Sequence, residues 1–406
     1  MVPGSGTFDP GLRAGDARSM RVLFTTLRNT SHFLPLIPFV DACRRAGHEV
    51  AVAAPGDLAE RVAATGATFF PFDHPGDEGL RPYWMRLRDA SEEEARRIAV
   101  GEIFAGACAG AALPGLLATM ERWRPSIVVR ESQEYAAIVA ARKLGIPHIR
   151  VAITLRSAEV EVLGDAAPAL DAHARGAGLP PDPAGERIRG EPALTLFPAS
   201  LDPTADEPAP MRRFRSPRKE PAPLPAFWPG RLGAFVYATL GTVAGGMEPA
   251  RIAYRAVLDA VAGLPIRVLL TIGAELPLEA LGEIPPNVHV ERFVPQDDVL
   301  PHAAATLCHG GSGSVLGALA AGVPLVVAPL FADQPHNAER VAAAGAGLAL
   351  PTRTTSAEAL RSALARVLEQ PAFRAAARRV AAEIAALPAI DDAAIEIERL
   401  AHGKPG

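Results

Sequence analysis

The sequence predicts an α/β protein built from two doubly wound domains, and three observations support this fold class. The chain has 406 residues, which is longer than one typical domain core. Short apolar runs of strand length alternate with helical patterns in both halves, as is typical of parallel sheets covered by helices. A proline-rich segment separates the two alternations, and such segments are typical of linkers.

The first alternation spans residues 20–205, which we assign to the first domain. Its predicted elements are strands 21–26, 49–54, 126–130 and 148–153 and helices 35–46 and 135–144. Gly145-Ile146-Pro147 stops the second of these helices before the next strand. The stretch 163–191 is rich in Gly, Pro and Ala, and we interpret it as a long loop with short helices, a kind of segment that is usually functional or mobile.

The second alternation spans residues 233–385, which we assign to the second domain. Its predicted elements are strands 234–240, 266–272, 304–308 and 324–329 and helices 249–262, 314–321 and 337–344. Between the domains, residues 206–232 are crowded with prolines and are predicted to be the linker. The tail from 356 to 402 has a helical pattern, and residues 386–406 are assigned to a C-terminal helix, for which packing back on the first domain is one option.

Composition narrows the class of function. Hydrophobic residues make up 49% and charged residues 21%, the balance of an ordinary soluble globular protein. A net charge of -4 offers no basic surface to nucleic acid or to an anionic membrane. Cys43, Cys108 and Cys308 are far apart, so neither a disulfide framework nor a zinc site is expected. A reducing, cytoplasmic compartment is therefore predicted.

Neither a signal peptide nor a membrane span is expected. Residues 1–19 are rich in Gly, Asp and Arg and lack the apolar stretch of a signal peptide, so we interpret them as a disordered leader with Met20 as the functional start. Two uncharged runs, 103–120 and 315–332, are rich in Ala and Gly. Neither has basic anchors on one side only, and no span is predicted from them.

A glycine-rich turn follows the predicted strand 304–308 and leads directly into a helix. The turn consists of His309, Gly310, Gly311, Ser312, Gly313 and Ser314. Backbone N–H groups and the positive end of a helix dipole suit a phosphate. A plain tight turn with a serine cap is the alternative. The glycine spacing does not match the dinucleotide fingerprint, and the lysine of a P-loop is missing.

Polar side chains cluster at the end of the next predicted strand. Asp333, Gln334 and Asn337 follow it, and carboxylates and amides are suited to read sugar hydroxyls. Capping of the following helix is the alternative for Asp333 and Asn337. Upstream, Phe293 and Gln296 could stack on and hydrogen-bond a nucleobase, although core filling explains Phe293 equally well.

Together these residues resemble the donor-binding signature of inverting, nucleotide-sugar-dependent glycosyltransferases of the family 1 type. The resemblance is to the branch that decorates macrolides and other natural products, which has the GT-B fold of two Rossmann-like domains facing each other across a cleft. The matching pieces are Phe293-Val294-Pro295-Gln296, Cys308 to Ser314, and Ala332 to Arg340, in the family's order and spacing. A weaker match runs from about Met20 to the C-terminus.

The resemblance implies a role for each donor-side residue. Phe293 takes the place of the aromatic ring that stacks on the base, and Val294 and Gln296 lie beside the nucleoside. The diphosphate is held by Thr242, His309, Gly310, Gly311, Ser312, Gly313 and Ser314. Asp333 and Gln334 bind the sugar's hydroxyls, and Asn337 belongs to the same donor site. The sequence contains no Asp-x-Asp pair, so no metal and no cofactor beyond the nucleoside-diphosphate sugar is expected; the helix dipole and hydroxyls must neutralise the leaving group.

The acceptor side is assigned to the first domain. In the resembled family a Gly-His or Ser-His after the first strand supplies the general base, and Ser31-His32 matches it. An imidazole can accept a hydroxyl proton near neutral pH, although a histidine before a helix is often structural. A base of this kind needs an orienting carboxylate. Glu131 occupies the position where the family commonly has aspartate, Glu134 is a second candidate, and Arg130 could claim the carboxylate instead.

The predicted function is transfer of a hexosyl or deoxyhexosyl group from a TDP- or UDP-sugar to a small hydrophobic aglycone. No nucleic acid or membrane partner is expected, and a homodimer is one of the assemblies that the sequence allows. The alternatives are a nucleotide-sugar epimerase of the same fold and a non-catalytic donor-binding homologue. An NAD-dependent oxidoreductase is disfavoured because the first turn, residues 27–31, contains no glycine. The acceptor, the sugar, the nucleotide and the nucleophilic atom are not readable from the sequence.

Overall fold

The computed structural model describes residues 19–87, 90–203, 210–224, 233–241, 248–352 and 356–403. Within these ranges the chain forms a seven-stranded and a six-stranded parallel sheet, which confirms the predicted fold class. Residues 1–18 of the predicted leader and the predicted phosphate ligand Thr242 lie outside the described residues.

The first sheet has the strand order β3-β2-β1-β4-β5-β6-β7. Its strands are β1 (Arg21–Thr25), β2 (Glu49–Ala54), β3 (Thr68–Pro71), β4 (Ile127–Glu131), β5 (His148–Ala152), β6 (Ala193–Thr195) and β7 (Met211–Arg213). The order reverses between β1 and β4, and in open α/β sheets ligands bind outside the carboxyl ends of the strands at such a point.

The second sheet has the order β10-β9-β8-β11-β12-β13. Its strands are β8 (Ala234–Thr239), β9 (Ile266–Thr271), β10 (Val288–Glu291), β11 (Ala305–Cys308), β12 (Leu325–Val327) and β13 (Gly347–Ala349). Its switch point lies between β8 and β11. The central strands of both sheets are nearly continuous apolar runs because helices cover both of their faces.

Helices cover both sheets. Those of the first domain are α1 (Thr30–Phe33), α2 (Ile37–Arg45), α3 (Ala59–Thr65), α4 (Gly76–Leu87), α5 (Glu92–Arg96), α6 (Ala109–Trp123), α7 (Ala136–Leu144), α8 (Arg156–Gly176) and α9 (Glu186–Arg189). The remaining helices are α10 (Glu248–Val261), α11 (Gln296–Val299), α12 (Ser312–Ala320), α13 (Gln334–Ala343), α14 (Ala357–Glu369), α15 (Pro371–Ala386) and α16 (Asp392–His402). A π-helical segment, Arg97–Cys108, joins α5 to α6.

The interpretation of residues 163–191 as a loop is wrong, because α8 runs as one helix from Arg156 to Gly176 in spite of Pro168. Its buried apolar residues include Leu163, Ala166, Ala167, Leu170 and Ala174, and this spacing is that of one helical face. Burial of that face therefore outweighs the local effect of Gly and Pro.

The predicted linker, residues 206–232, contains the last strand of the first sheet. β7 pairs in parallel with β6, and the next residue, Phe214, is buried against Phe39 in the core of the first domain. The first sheet therefore extends into the proline-rich segment, where the sequence pattern had indicated only a connection.

The continuous helix Glu92–Trp123 is long and apolar enough to cross a membrane by length and composition alone. It is the one helix among the described residues that passes this test, and 44% of its most apolar window is buried. A core helix of a soluble protein passes the same test, and this helix packs against α7 and α8.

The C-terminal helix α16 returns to the first domain. It packs against α2, β4 and β5, and Ala393, Ala394 and Ile397 are buried in the same apolar cluster as β1 and β4. The described part of the chain thus passes from the first domain to the second and returns to the first with α16.

This return contact yields a stability prediction. Ile397→Ala should lower the free energy of unfolding by about 2–5 kcal/mol, because a fully buried isoleucine leaves a cavity. Ile395, on the same helix, is 41% exposed, so Ile395→Ala should cost less than about 1 kcal/mol. Denaturant unfolding followed by circular dichroism measures both. Equal losses would mean that α16 does not contribute to the first core.

Candidate active site

His32 and Glu131 meet at the switch point of the first sheet. Glu131 ends β4, His32 lies on α1 directly after β1, and these two strands are neighbours. His32 Nδ1 lies 3.0 Å from Glu131 Oε1, with 11% of the imidazole and none of the carboxylate exposed. Nε2 has no hydrogen-bond partner among the described residues and is not fully buried. A carboxylate on Nδ1 and an open Nε2 form the arrangement of a general base.

The structure brings Glu131, rather than Glu134, to His32. Glu131 is held by two backbone donors, since Oε2 accepts from Gln133 N at 2.6 Å and Oε1 from Leu27 N at 3.4 Å. Arg130 does not compete for this carboxylate, because its buried guanidinium pairs with Glu191. The ambiguity of the sequence is therefore decided by geometry.

Glu134 is a second buried acid beside this pair, with a different role. Its carboxylate accepts from Thr25 Oγ1 at 2.7 Å and from the N–H groups of Ala136 and Ala137 at 2.9 and 3.2 Å. It therefore caps α7 and ties it to β1. Burial raises the pKa of Glu134 to about 7 against the hydrogen bond from Thr25, and the charge of Glu131 adds to the rise.

The glycine-rich turn leaves donors open in the second domain. Gly310 has a φ of 91°, and an added Cβ would lie 2.8 Å from Val327 Cγ1, so only glycine fits there. Helix α12 begins at Ser312 without a side-chain cap. The N–H groups of Ser312 and Gly313 have no partner among the described residues, and together with the helix dipole they form an anion site.

His309 lies between two glycines at the same turn. Added Cβ atoms at Gly241 and Gly311 would lie 2.7 and 2.5 Å from its Nε2, so these glycines make room for the imidazole. Burial lowers the pKa of His309 to about 4, against a hydrogen bond to the backbone of Thr239. Its Nδ1 is buried without a partner among the described residues.

Asp333 connects the glycine turn to helix α13. Its Oδ2 accepts from Ser312 Oγ at 2.7 Å and from Asn337 Nδ2 at 2.9 Å, and Asn337 Nδ2 also lies 2.8 Å from the carbonyl of Gly310. Burial raises the pKa of Asp333, while these hydrogen bonds and the charge of His32 lower it. Asp333 is the N-cap residue of α13, but its side chain makes no capping hydrogen bond, and Ser312 is the first residue of α12 rather than its cap.

Gln334 is buried, and most of its hydrogen-bonding capacity is already used. Its Oε1 accepts from Leu330 N at 2.7 Å and from Phe331 N at 3.1 Å, which leaves its NH₂ group for a ligand. Ala332 between them has a φ of 58°, a conformation that a non-glycine residue rarely adopts and that clusters at functional sites. The sequence pattern gave no signal for this conformation.

The nucleobase side lies at the end of β10. Phe293 is 71% exposed, so its ring is free to stack rather than filling the core. Val294 packs against the core of the second domain. Gln296 Oε1 lies against Gly317 of α12, at 2.7 Å from where a Cβ would be, and this contact fixes the amide beside the glycine turn.

Two contacts of the site are not indicated by the sequence. The ring of Phe104, in the π segment, lies 5.8 Å from that of His32. His336 Nε2 of the second domain lies 2.8 Å from Glu161 Oε2 of the first. Phe104 stands in an apolar run that predicts only burial, and both contacts join residues far apart in the chain, so no local pattern could have indicated them.

The chain resembles known proteins in both sequence and structure. The family models "Erythromycin biosynthesis protein CIII-like, N-terminal domain" and "C-terminal domain" match residues 41–157 and 255–400. An aklavinone 7-beta-L-rhodosaminyltransferase of Streptomyces galilaeus is 31% identical over 94% of this chain and 96% of its own.

Two solved structures share the whole fold. The glycosyltransferase VinC in complex with dTDP is 26% identical with a TM-score of 0.74, over 94% of this chain and 99% of its own. The spinosyn rhamnosyltransferase SpnG with spinosyn aglycone is 26% identical with a TM-score of 0.76, over 93% of this chain and 100% of its own. The GT-B architecture expected from the sequence is thereby confirmed.

Glu134 makes stability depend on pH. The pKa of Glu134 rises from 4.5 to about 7 on folding. The stability that the protonated carboxyl contributes to the folded state is therefore fully present below pH 4.5 and is lost as the pH rises through about 7. Glu134→Gln has no proton to lose, so its free energy of unfolding relative to wild type should increase by on the order of 3 kcal/mol between pH 4.5 and about pH 7. Denaturant unfolding at several pH values measures the gain.

Glu121 is exposed and gives the matched control, because Glu121→Gln should follow the wild-type curve at every pH. If Glu134→Gln also runs parallel to wild type, Glu134 does not hold a proton in the native state.

Proposed function

The chain belongs to the erythromycin biosynthesis protein CIII-like family of glycosyltransferases, and from that premise we propose that it moves a sugar from a nucleoside diphosphate to a hydroxyl of a small natural-product aglycone, with inversion. The observation that carries this proposal is the buried His32–Glu131 pair at the switch point of the first sheet, and the contact of His336 with Glu161 joins helix α13 of the second domain to the first domain. An epimerase is not favoured, since the named relatives are sugar transferases.

The glycine turn supports a diphosphate as the leaving group. The open N–H groups of Ser312 and Gly313 and the dipole of α12 favour negative charge, and His309 packs directly beside this turn. Donors fixed in place before the reaction stabilise the charge that develops as the sugar leaves.

The nucleotide and the acceptor class are supported by similarity. VinC binds dTDP and SpnG binds a spinosyn aglycone, so we propose a thymidine diphosphate donor and an apolar aglycone here, with a uridine donor as the alternative. Phe293 provides an exposed ring for the base, and Asp333 with the NH₂ group of Gln334 would receive the sugar hydroxyls. All three cysteines are free and buried, which supports the proposed cytoplasmic location.

The proposed reaction is a single displacement. The acceptor hydroxyl gives its proton to His32 Nε2 while its oxygen forms a bond to the anomeric carbon, and Glu131 stabilises the resulting imidazolium. The bond from the anomeric carbon to the diphosphate oxygen breaks, and the electron pair leaves with the diphosphate. The base belongs to the first domain and the diphosphate turn to the second, so nucleophile and leaving group lie on opposite faces of the sugar and the configuration inverts.

Metal independence is part of the proposal, because the sequence has no Asp-x-Asp pair and backbone donors supply the positive charge. Enzyme treated with a strong chelator should keep its transfer rate, measured by chromatography of the glycoside. A lost rate that magnesium or manganese restores would contradict this part of the proposal.

Removal of the base should affect turnover rather than donor binding. His32→Ala should lower kcat for an alcoholic acceptor about 10²–10⁴-fold, the usual contribution of general-base catalysis. The Kd for TDP, measured by calorimetry, should change little because that site lies in the second domain. His302 is exposed, so His302→Ala is the control and should behave as wild type. Near-normal turnover of His32→Ala would show that His32 is not the base.

A further inference from the structure

The π segment Arg97–Cys108 places an aromatic ring beside the base. π-helical backbone is rare and occurs frequently at functional sites. Within this segment, the ring of Phe104 meets the ring of His32 edge to face, with centroids 5.8 Å apart and planes at 74°. Neither the proposed proton transfer nor the proposed donor binding uses this ring.

The position of Phe104 is fixed by helix α8. A Cβ at Gly101 would lie 2.6 Å from the carbonyl oxygen of Asp165, so the π segment and α8 are in backbone contact. His173 Nε2 of α8 lies 3.1 Å from the carbonyl oxygen of Gly106, where the imidazole acts as the donor. These two contacts, one on each side of Phe104 in the sequence, hold the π segment against α8.

The surroundings of Phe104 are apolar. It packs against a buried cluster at the carboxyl edge of the first sheet formed by Leu27, Leu80, Ile98, Ile103 and Cys108. Phe104 itself is only half-buried, so part of its ring stays accessible. Leu27, in this cluster, is also the residue whose N–H meets Glu131, so the apolar cluster and the catalytic pair adjoin.

We propose that Phe104 determines acceptor specificity: its open ring packs against the apolar ring of the acceptor that carries the reacting hydroxyl. This rests on the proposed function of His32 as base. A hydroxyl that gives its proton to Nε2 lies about 2.6–3.2 Å from it, and ring contacts occur at centroid separations of about 4.5–7 Å. Phe104 stands 5.8 Å from the imidazole, so a ring attached to that hydroxyl on the same side of the imidazole as Phe104 falls within packing distance of Phe104.

The test compares two phenylalanines in the same domain. Phe70 is also half-buried and also pairs edge to face, with Trp123 at 5.7 Å, but it lies on β3, and its ring partner is at the end of α6. The probe is the planar phenol 4-methylumbelliferone, whose Kd is measured by fluorescence in the presence of TDP. Its transfer from TDP-glucose is followed separately.

Phe104→Ala should raise the Kd of the probe about 10–100-fold, which corresponds to one aromatic side chain's apolar contact. Phe104→Leu should bind the probe with a Kd much closer to that of the wild-type enzyme. Phe70→Ala should leave the Kd of the probe near the wild-type value, and the Kd for TDP should also stay near wild type. A wild-type enzyme that binds the probe without transferring sugar would count against the proposed function, while the comparison of Kd values would still decide the role of Phe104.

Three results would overturn the inference. An unchanged Kd with a lower kcat and a displaced pH profile would mean that Phe104 only orients His32. Equal effects of Phe104→Ala and Phe70→Ala would indicate a general loss of packing. Failure of the wild-type enzyme to bind the planar phenol would show that no apolar ring packs against Phe104.

Discussion

The parallel pairing of β1 with β4 is the constraint on which the active site depends. These strands are far apart in the chain, yet their pairing brings His32 within 3.0 Å of Glu131, a residue 99 positions later. The same topology recurs in the second sheet, where β8 pairs with β11 and the glycine turn follows β11. Parallel strands have their carboxyl ends at the same edge of the sheet. The polar residues that follow these strands therefore lie together at the cleft in each domain.

Burial of charge around the pair has a consequence for chemistry. Arg130 is fully buried with Glu191 and donates to three backbone carbonyls, so it stiffens the loop after β4 without neutralising Glu131. Glu134 lies beside Glu131 as a second acid whose pKa of about 7 keeps it largely protonated below neutral pH. The site thereby avoids two adjacent buried negative charges, which would repel each other in a low dielectric, and Glu131 can act on the imidazole alone.

Much of the fold and of the site was predictable because it depends on local sequence. The predicted strands lie where the structure has β1, β2, β4, β5, β8, β9, β11 and β12. The glycine turn was found from its place after β11, whereas His32 and Glu131 were indicated by the family resemblance. β3, β6, β7 and β13 were missed, since they are short edge or outer strands that sheet pairing stabilises more than sequence pattern does. α8 was missed although its buried residues have helical spacing, because Pro168 and the glycines dominated the interpretation. Phe104 was unpredictable because long-range packing places it.

The division of the site between two domains requires a defined relation between them, and the structure shows two kinds of contact that set it. Leu155, Phe197 and Leu201 of the first domain are buried in an apolar cluster with the second, and Arg340 of α13 donates to the carbonyls of Leu201 and Ser200. The contact of His336 with Glu161 is partly exposed, and exposed ion pairs contribute only about 0–1 kcal/mol. The apolar contact therefore contributes more to holding the domains together than the contact between His336 and Glu161 does.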